Sequence, residues 1–189
     1  TAWKIETETR GKTGIQDHVA ALYGGGSYIT IYGLDGFSVK RREIYPGTVR
    51  KLRPYLLLFY LGGQRDSHEM QKTLQDKKAL FLIKDICGRA IDAFEDEEFE
   101  TMGNLLNDTW KLKKLSNPQM TTSFIDQIYE AGMKAGAWGG KLMGAGGNGH
   151  FLFMADPQYH DKIRQAMPEG VKEIDFNFDF NGLDIRRIE

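Results

Sequence analysis

One cysteine, Cys87, stands among 189 residues, so no internal disulfide can brace the chain. Its place in an apolar-periodic stretch reads as a small buried hydrophobe. Charge of one sign is missing as well: 25 Lys and Arg stand against 26 Asp and Glu, for a formal net charge of -1. That balance leaves no electrostatic footprint for nucleic acid. The short basic runs Lys40-Arg41-Arg42 and Lys111-Leu112-Lys113-Lys114 read as solvated faces. No uninterrupted apolar run approaches the roughly 20 residues a bilayer needs, and no basic start leads into an apolar signal core. The expectation is a cytoplasmic protein with neither nucleic acid nor membrane as partner. Histidines are few, and His18, His68, His150 and His160 lack metal-ligand spacing. They read as surface or loop residues, and no metal ligand is assigned. The chain also lacks an initiator methionine, starting at Thr1 in mid-pattern, which reads as a processed product or a fragment.

What is present suffices for a core. Hydrophobic residues make up 41% of the chain, no repeat or low-complexity tract interrupts them, and the length fits one or two domains. A short strand is expected around Trp3 and Ile5, and a helix over 16–23 with Val19, Leu22 and Tyr23 on one side and Gly24-Gly25 as its stop. Tyr28, Thr30 and Tyr32 alternate with Ile29 and Ile31, and Asp35-Gly36 turns that strand toward a partner in "FSVKRREIY". "YLLLFYLGG" reads as a strand covered on both faces. From Ser67 the period becomes helical, with Leu82, Ile83, Ile86, Ala90, Ile91 and Phe94, then Phe99, Met102, Leu105, Leu106 and Thr109. The acidic stretch 95–98 reads as a solvated joint or a first helical turn. Ser116-Asn117-Pro118 reads as the cap and first position of a helix through Phe124, Ile128 and Met133, ending at Gly136. "HFLFMA" reads as a strand, 157–167 as a helix, and "VKEIDFNFDF" as a half-exposed strand before an Asn181-Gly182 turn. The sum is an α+β chain whose second half packs helices on one face of a mainly antiparallel sheet.

Between the helix end and "HFLFMA" lie Gly136, Gly139, Gly140, Gly144, Gly146, Gly147 and Gly149. A Walker A loop would need glycine at Ala135 and Ser or Thr at Leu142. Gly144, Gly146 and Gly149 satisfy G-x-G-x-x-G, but the dinucleotide fingerprint follows a strand and opens a helix, and here a helix precedes and a strand follows. The segment can aim several backbone N–H groups into one concavity suited to an anion, or serve as a plain connector. Asp17 falls in the first turn of its helix, where the dipole holds a carboxylate ionised. It is either a first-turn stabiliser or a group that accepts a hydroxyl proton in phosphoryl transfer. Lys12 is either a neutraliser of nearby phosphate or an ordinary loop lysine.

Taken together and in this order, "GIQDHVAALYGG" and "KLMGAGGNGHFLF" resemble the segments of GHMP-type small-molecule kinases that carry the catalytic aspartate and the third, glycine-rich motif. That superfamily is named for galactokinase, homoserine kinase, mevalonate kinase and phosphomevalonate kinase. "NLLNDTWKLKKLS", "FIDQIYEAGMKAGAWGGKLMGAGG" and "LLLFYLGGQRDS" resemble its D-glycero-D-manno-heptose 7-phosphate kinase branch, and the similarity runs from about Gly11 to the end. The resemblance implies the remainder of an S5-like α/β amino-terminal domain over 1–66 and a ferredoxin-like GHMP kinase carboxy-terminal domain over 67–189. It implies ATP and Mg2+ as cofactors and transfer of the γ-phosphoryl group to the anomeric hydroxyl of a heptose phosphate or related sugar. Asp17 and Lys12 would be catalytic, Gly144, Ala145, Gly146, Gly147, Asn148 and Gly149 the phosphate-side loop, and Arg65 and Ser67 contacts to sugar or substrate phosphate. Asn148 and His150 depart from the family's unbroken glycine run and following apolar residue. The family's proline-led second motif, which wraps the ATP phosphates, has no counterpart in the sequence. The chain is therefore expected to be inactive alone, with its missing amino-terminal segment or a second copy as partner. The alternatives are a non-catalytic sugar- or nucleotide-binding module, or a kinase for galactose, fucose or an N-acetylhexosamine.

Overall fold

The alternation at Tyr28–Tyr32 is realised as strand β1 (Gly26–Tyr32), which follows helix α1 (Gln16–Tyr23) and pairs antiparallel with β2 (Ser38–Ile44). Helix α2 (Pro46–Leu52) comes next, with proline in its first turn, where the missing N–H is no loss. The structure is a computed structural model describing residues 8–9, 15–32, 38–62, 77–144 and 149–184. Two contact units divide it: Thr1–Arg53 with Asn177–Glu189, and Pro54–Phe176. In the first, Val19 of α1 and Thr48 and Val49 of α2 are buried. The expected strand at Trp3 and Ile5 and the Asp35-Gly36 turn lie outside the described residues.

The second unit is built on a four-stranded sheet in the order β4-β5-β3-β6, antiparallel throughout. Its strands are β3 (Leu56–Tyr60), β4 (Gly139–Leu142), β5 (His150–Met154) and β6 (Lys172–Glu173). Helices α3 (Lys77–Glu95), α4 (Phe99–Ser116) and α5 (Ser123–Lys134) lie between β3 and β4, and α6 (His160–Ala166) between β5 and β6. The register sets Leu57 against Phe153 and Phe59 against Phe151. Those four side chains share one face and join Trp110, Ile125, Ile128 and Ile163 in the core. Leu56 and Leu57 alternate to opposite faces and are both buried, so β3 is covered on both sides there, as its continuous apolar run implies.

Several expectations are corrected. Asn117 does not open the long helix: it accepts from the Gln119 N–H at 3.0 Å and caps a single 3-10 turn, Pro118–Met120. Thr122 then caps α5 through the Ile125 N–H, because Pro118 fixes φ without obliging the chain to continue past one turn. The span 157–167 likewise starts as a 3-10 turn before α6. The alternating "VKEIDFNFDF" forms only the two-residue β6, after which Ile174 donates once more to Leu58. Cys87 is exposed rather than buried, since α3 turns Ile86, Ala90 and Ala93 toward α4 and leaves 87 outside that stripe. Leu82 is 53% exposed for the same reason. His160 is 9% exposed at the start of α6, not a surface histidine.

Candidate functional site

Asp17 sits in the first turn of α1, exposed, behind an N-cap residue, Ile15, that offers no side-chain cap. Its carboxylate is thus the negative charge complementing the positive end of the helix dipole. The other end of α1 is held by backbone. Gly24 takes φ 65° and Gly182 takes φ 67°, and a Cβ on either would collide with the other's strand of chain. That glycine pair lets residues 179–183 lie against the helix end, with the Gly25 N–H donating to Asp179 at 2.6 Å and the Leu183 N–H to Leu22 at 3.1 Å. Arg41 of β2 completes the anchor. Its Nε donates to Ser27 Oγ at 2.6 Å, its Nη2 reaches the Gly24 carbonyl at 3.4 Å, and its guanidinium lies 4.7 Å from the Tyr23 ring centroid.

The glycine-rich stretch separates into two kinds of glycine. Gly139 and Gly140 belong to strand β4, which sequence reasoning missed because glycine has no strand propensity. They are there for space. A Cβ at Gly139 would strike the Gly103 carbonyl of α4, and one at Gly140 would come within 2.6 Å of Phe153 and 2.7 Å of Phe151. Gly144 and Gly149, at φ 76° and 112°, are there for torsion, with nothing among the described residues near their Cβ positions. They bracket the connection of a β4–β5 hairpin, so the glycine segment lies between two strands rather than between a helix and a strand. The Met143 N–H donates to His150 at 2.8 Å, and the Leu61 N–H to the Gly149 carbonyl at 2.8 Å, fixing the hairpin's exit against the end of β3.

Of the expected site residues, Asp17 belongs to the first unit and Gly144 and Gly149 to the second. Lys12, Arg65, Ser67, Ala145, Gly146, Gly147 and Asn148 lie outside the described residues. Among the described residues no three His, Cys, Asp or Glu side chains gather to hold a metal ion, and no helix is long and apolar enough to cross a membrane.

The basic runs are not simply solvated. Arg41 keeps 18% of its side chain exposed in the anchor above. In α4, burial pushes the Lys113 ammonium below its ordinary value, and Lys114 bonds Asp126 at 2.8 Å while lying 4.7 Å from the Tyr129 ring centroid. Tyr129 in turn donates to the buried Asn107 at 2.6 Å, and burial, then Asp108, Asp126 and Glu130, raises its phenol. These contacts tie α4 to α5, the helix that leads into the glycine-rich hairpin.

Comparison with known proteins gives a consistent picture. Residues 90–173 match the family model described as GHMP kinases C terminal. The chain is 27% identical over 196 residues to D-glycero-alpha-D-manno-heptose 7-phosphate kinase of Campylobacter jejuni, an alignment covering 99% of this chain and 58% of that protein. A crystal structure of a candidate sugar kinase from Campylobacter jejuni superposes with TM-score 0.72 at 26% identity, over 96% of this chain and 54% of that one. A D-glycero-D-manno-heptose 1-phosphate kinase from Bacteroides thetaiotaomicron gives TM-score 0.69 at 21% identity, over 98% and 54% respectively, a likeness of fold alone. The chain therefore spans 54–58% of the length of these three proteins.

Proposed function

We propose, on the premise that residues 90–173 are the carboxy-terminal domain of a GHMP kinase, that the chain is part of an ATP-dependent sugar kinase phosphorylating the anomeric hydroxyl of a heptose phosphate or related sugar. The observation that carries this reading is the 27% identity to a heptose 7-phosphate kinase, which extends through 99% of the chain rather than through one motif. The division into 1–66 and 67–189 is part of the same proposal and concerns family architecture, whereas the contact units concern packing.

In this reading Asp17 accepts the proton of the sugar hydroxyl as that oxygen bonds the γ-phosphorus of ATP and the bridging oxygen leaves with ADP. Its exposed place in the first turn of α1 supports the role, because the carboxylate is open to an incoming hydroxyl. The glycine-rich segment from Gly144 to Gly149 serves as the phosphate-side loop, its glycines permitting close backbone approach to phosphate. Lys12 supplies positive charge to the reaction, and Arg65 and Ser67 contact the sugar or its phosphate. ATP is the co-substrate. Magnesium takes one or two carboxylates together with substrate phosphates and waters, and no step is assigned to the metal.

The family's proline-led phosphate loop has no counterpart in these 189 residues, so the chain by itself is expected not to turn over ATP at a useful rate. Sugar-dependent ADP release from ATP and D-glycero-D-manno-heptose 7-phosphate tests both parts. Turnover should be absent from the 189-residue chain and present in a longer polypeptide that contains it together with the second motif. In that longer protein Asp17→Asn should lower kcat by about 10²–10⁴-fold. Robust turnover by the short chain would refute its dependence on a further segment, and an unchanged kcat in the variant would remove Asp17 from the chemistry.

A further inference from the structure

At the hairpin end of the four-stranded sheet, strand register alone brings three polar side chains into one row. Tyr60 of β3 stands opposite His150 of β5 on one side and opposite Lys172 of β6 on the other. Directly opposed residues of an antiparallel ladder share a face, with Cβ atoms about 4.5–5.5 Å apart. The Tyr60 and His150 rings meet accordingly, 5.2 Å between centroids. Farther down, the same face closes at Leu56, 6% exposed, and Met154, 3% exposed. It opens at the row, where Tyr60 is 36% exposed and His150 and Lys172 are exposed.

The row is also electrostatically one-sided. Glu173, the next residue of β6, alternates to the opposite face, where Arg164 holds its carboxylate at 2.7 and 3.0 Å. What the row presents is an ammonium, a phenol O–H and an imidazole, a set of donors fit for the oxygens of a compact anion. The bond from the Leu61 N–H to the Gly149 carbonyl fixes the residue immediately before His150. The row therefore rides on paired backbone rather than on the hairpin's tip.

We propose that Lys172, Tyr60 and His150 bind a phosphate monoester, namely the phosphate that the sugar substrate already carries. The proposal deepens the kinase reading and rests on it for the identity of the sugar, though not for the phosphate itself. It names the groups by which a phosphosugar is told from the free sugar. The phosphates of a nucleotide offer similar oxygens, so the test separates the two sources.

Amide spectra of the 15N-labelled 189-residue chain, titrated with inorganic phosphate, D-glycero-D-manno-heptose 7-phosphate, the unphosphorylated heptose and ATP, read the row without requiring turnover. Signals of Tyr60, His150 and Lys172 should move with inorganic phosphate and with the phosphosugar, and not with the free heptose. Lys172→Glu and His150→Phe should each weaken phosphosugar binding about tenfold or more. Unchanged spectra elsewhere would show that both variants fold. No response of the row to inorganic phosphate, or equal phosphosugar affinity in both variants, overturns the proposal. Weakened binding of ATP alone overturns it in favour of the nucleotide. A row that responds to phosphate while the phosphosugar binds no better than phosphate leaves the phosphate site standing and counts against the heptose reading.

Discussion

An alanine at Gly140 would place a methyl group 2.6 Å from Phe153 and 2.7 Å from Phe151, two rings with no exposed surface that cannot retreat. Overpacking of that kind costs about 1–3 kcal/mol. Gly144→Ala meets no atom of the described residues within 4 Å but must hold φ near 76°, at a cost of roughly 1–2 kcal/mol. Urea titrations of the two variants should therefore both show destabilisation, with Gly140→Ala the larger, and the reverse order would deny β4 its steric explanation. Both residues look alike in the sequence, because the reason for a glycine lies in what tertiary pairing sets opposite it. His160 went unread for a related reason: a period shows which residues share a face, not which end of that face is covered. Burial, the first cause, pushes its imidazole below the ordinary value of 6.5, outweighing the contact to the Ala155 carbonyl. The unfolded chain then binds the proton more readily, so His160 contributes stability above about pH 6.5 that is lost as pH falls below it. Stability measured from pH 7.5 down to 5 should decline less steeply in His160→Gln than in the parent, and equal slopes would show that this histidine is not the group being titrated.

At the scale of elements, the helices and the apolar strands were legible wherever a period ran for two turns or more. The helix 16–23 and the strands around 56–60 and 150–154 appear where alternation or apolar runs put them. Elements whose existence depends on a partner were not. Strand β4 is two glycines, a lysine and a leucine, held in the sheet by β5 and pressed by α4. The alternating 171–180, by contrast, has the right pattern but finds only two residues of β3 to pair with. Local chemistry misled once, at Asn117-Pro118, where a good cap serves a single turn and the effective cap of α5 is Thr122. Its hydroxyl accepts the Ile125 N–H at 3.3 Å, and Ile125 is 1% exposed in the main core. Thr122→Ala should cost about 1 kcal/mol and Asn117→Ala should not substitute for it in fraying the first turn of α5. Hydrogen exchange at the first four amides of α5 distinguishes the two variants. Equal protection in both would return the capping role to Asn117.

At the scale of the molecule, the first unit is discontinuous: residues 177–189 return to it after the chain has built the whole second unit. Its described buried hydrophobic side chains are Val19 and Val49, whereas the second unit buries a twelve-residue aromatic and aliphatic cluster from Leu57 to Ile163. Few buried contacts mean a low free energy of local opening, so the backbone crossing of Gly24 and Gly182 carries a large share of what holds the end of α1. A Cβ at Gly182 would stand 2.5 Å from the Leu22 carbonyl oxygen and 2.6 Å from the Tyr23 carbonyl carbon, at a φ of 67° that already disfavours any side chain. Gly182→Ala should therefore break the bond from Leu183 to Leu22 and release residues 179–183 from the helix end. Amide exchange should accelerate across α1 and at Gly25 while the amides of β3 and β5 keep their protection, because the crossing belongs to the first unit and those strands to the second. Uniform acceleration in both units would mean that they open as a single cooperative body. No acceleration at Gly25 would mean that the crossing is not what fixes the helix on which Asp17 is carried.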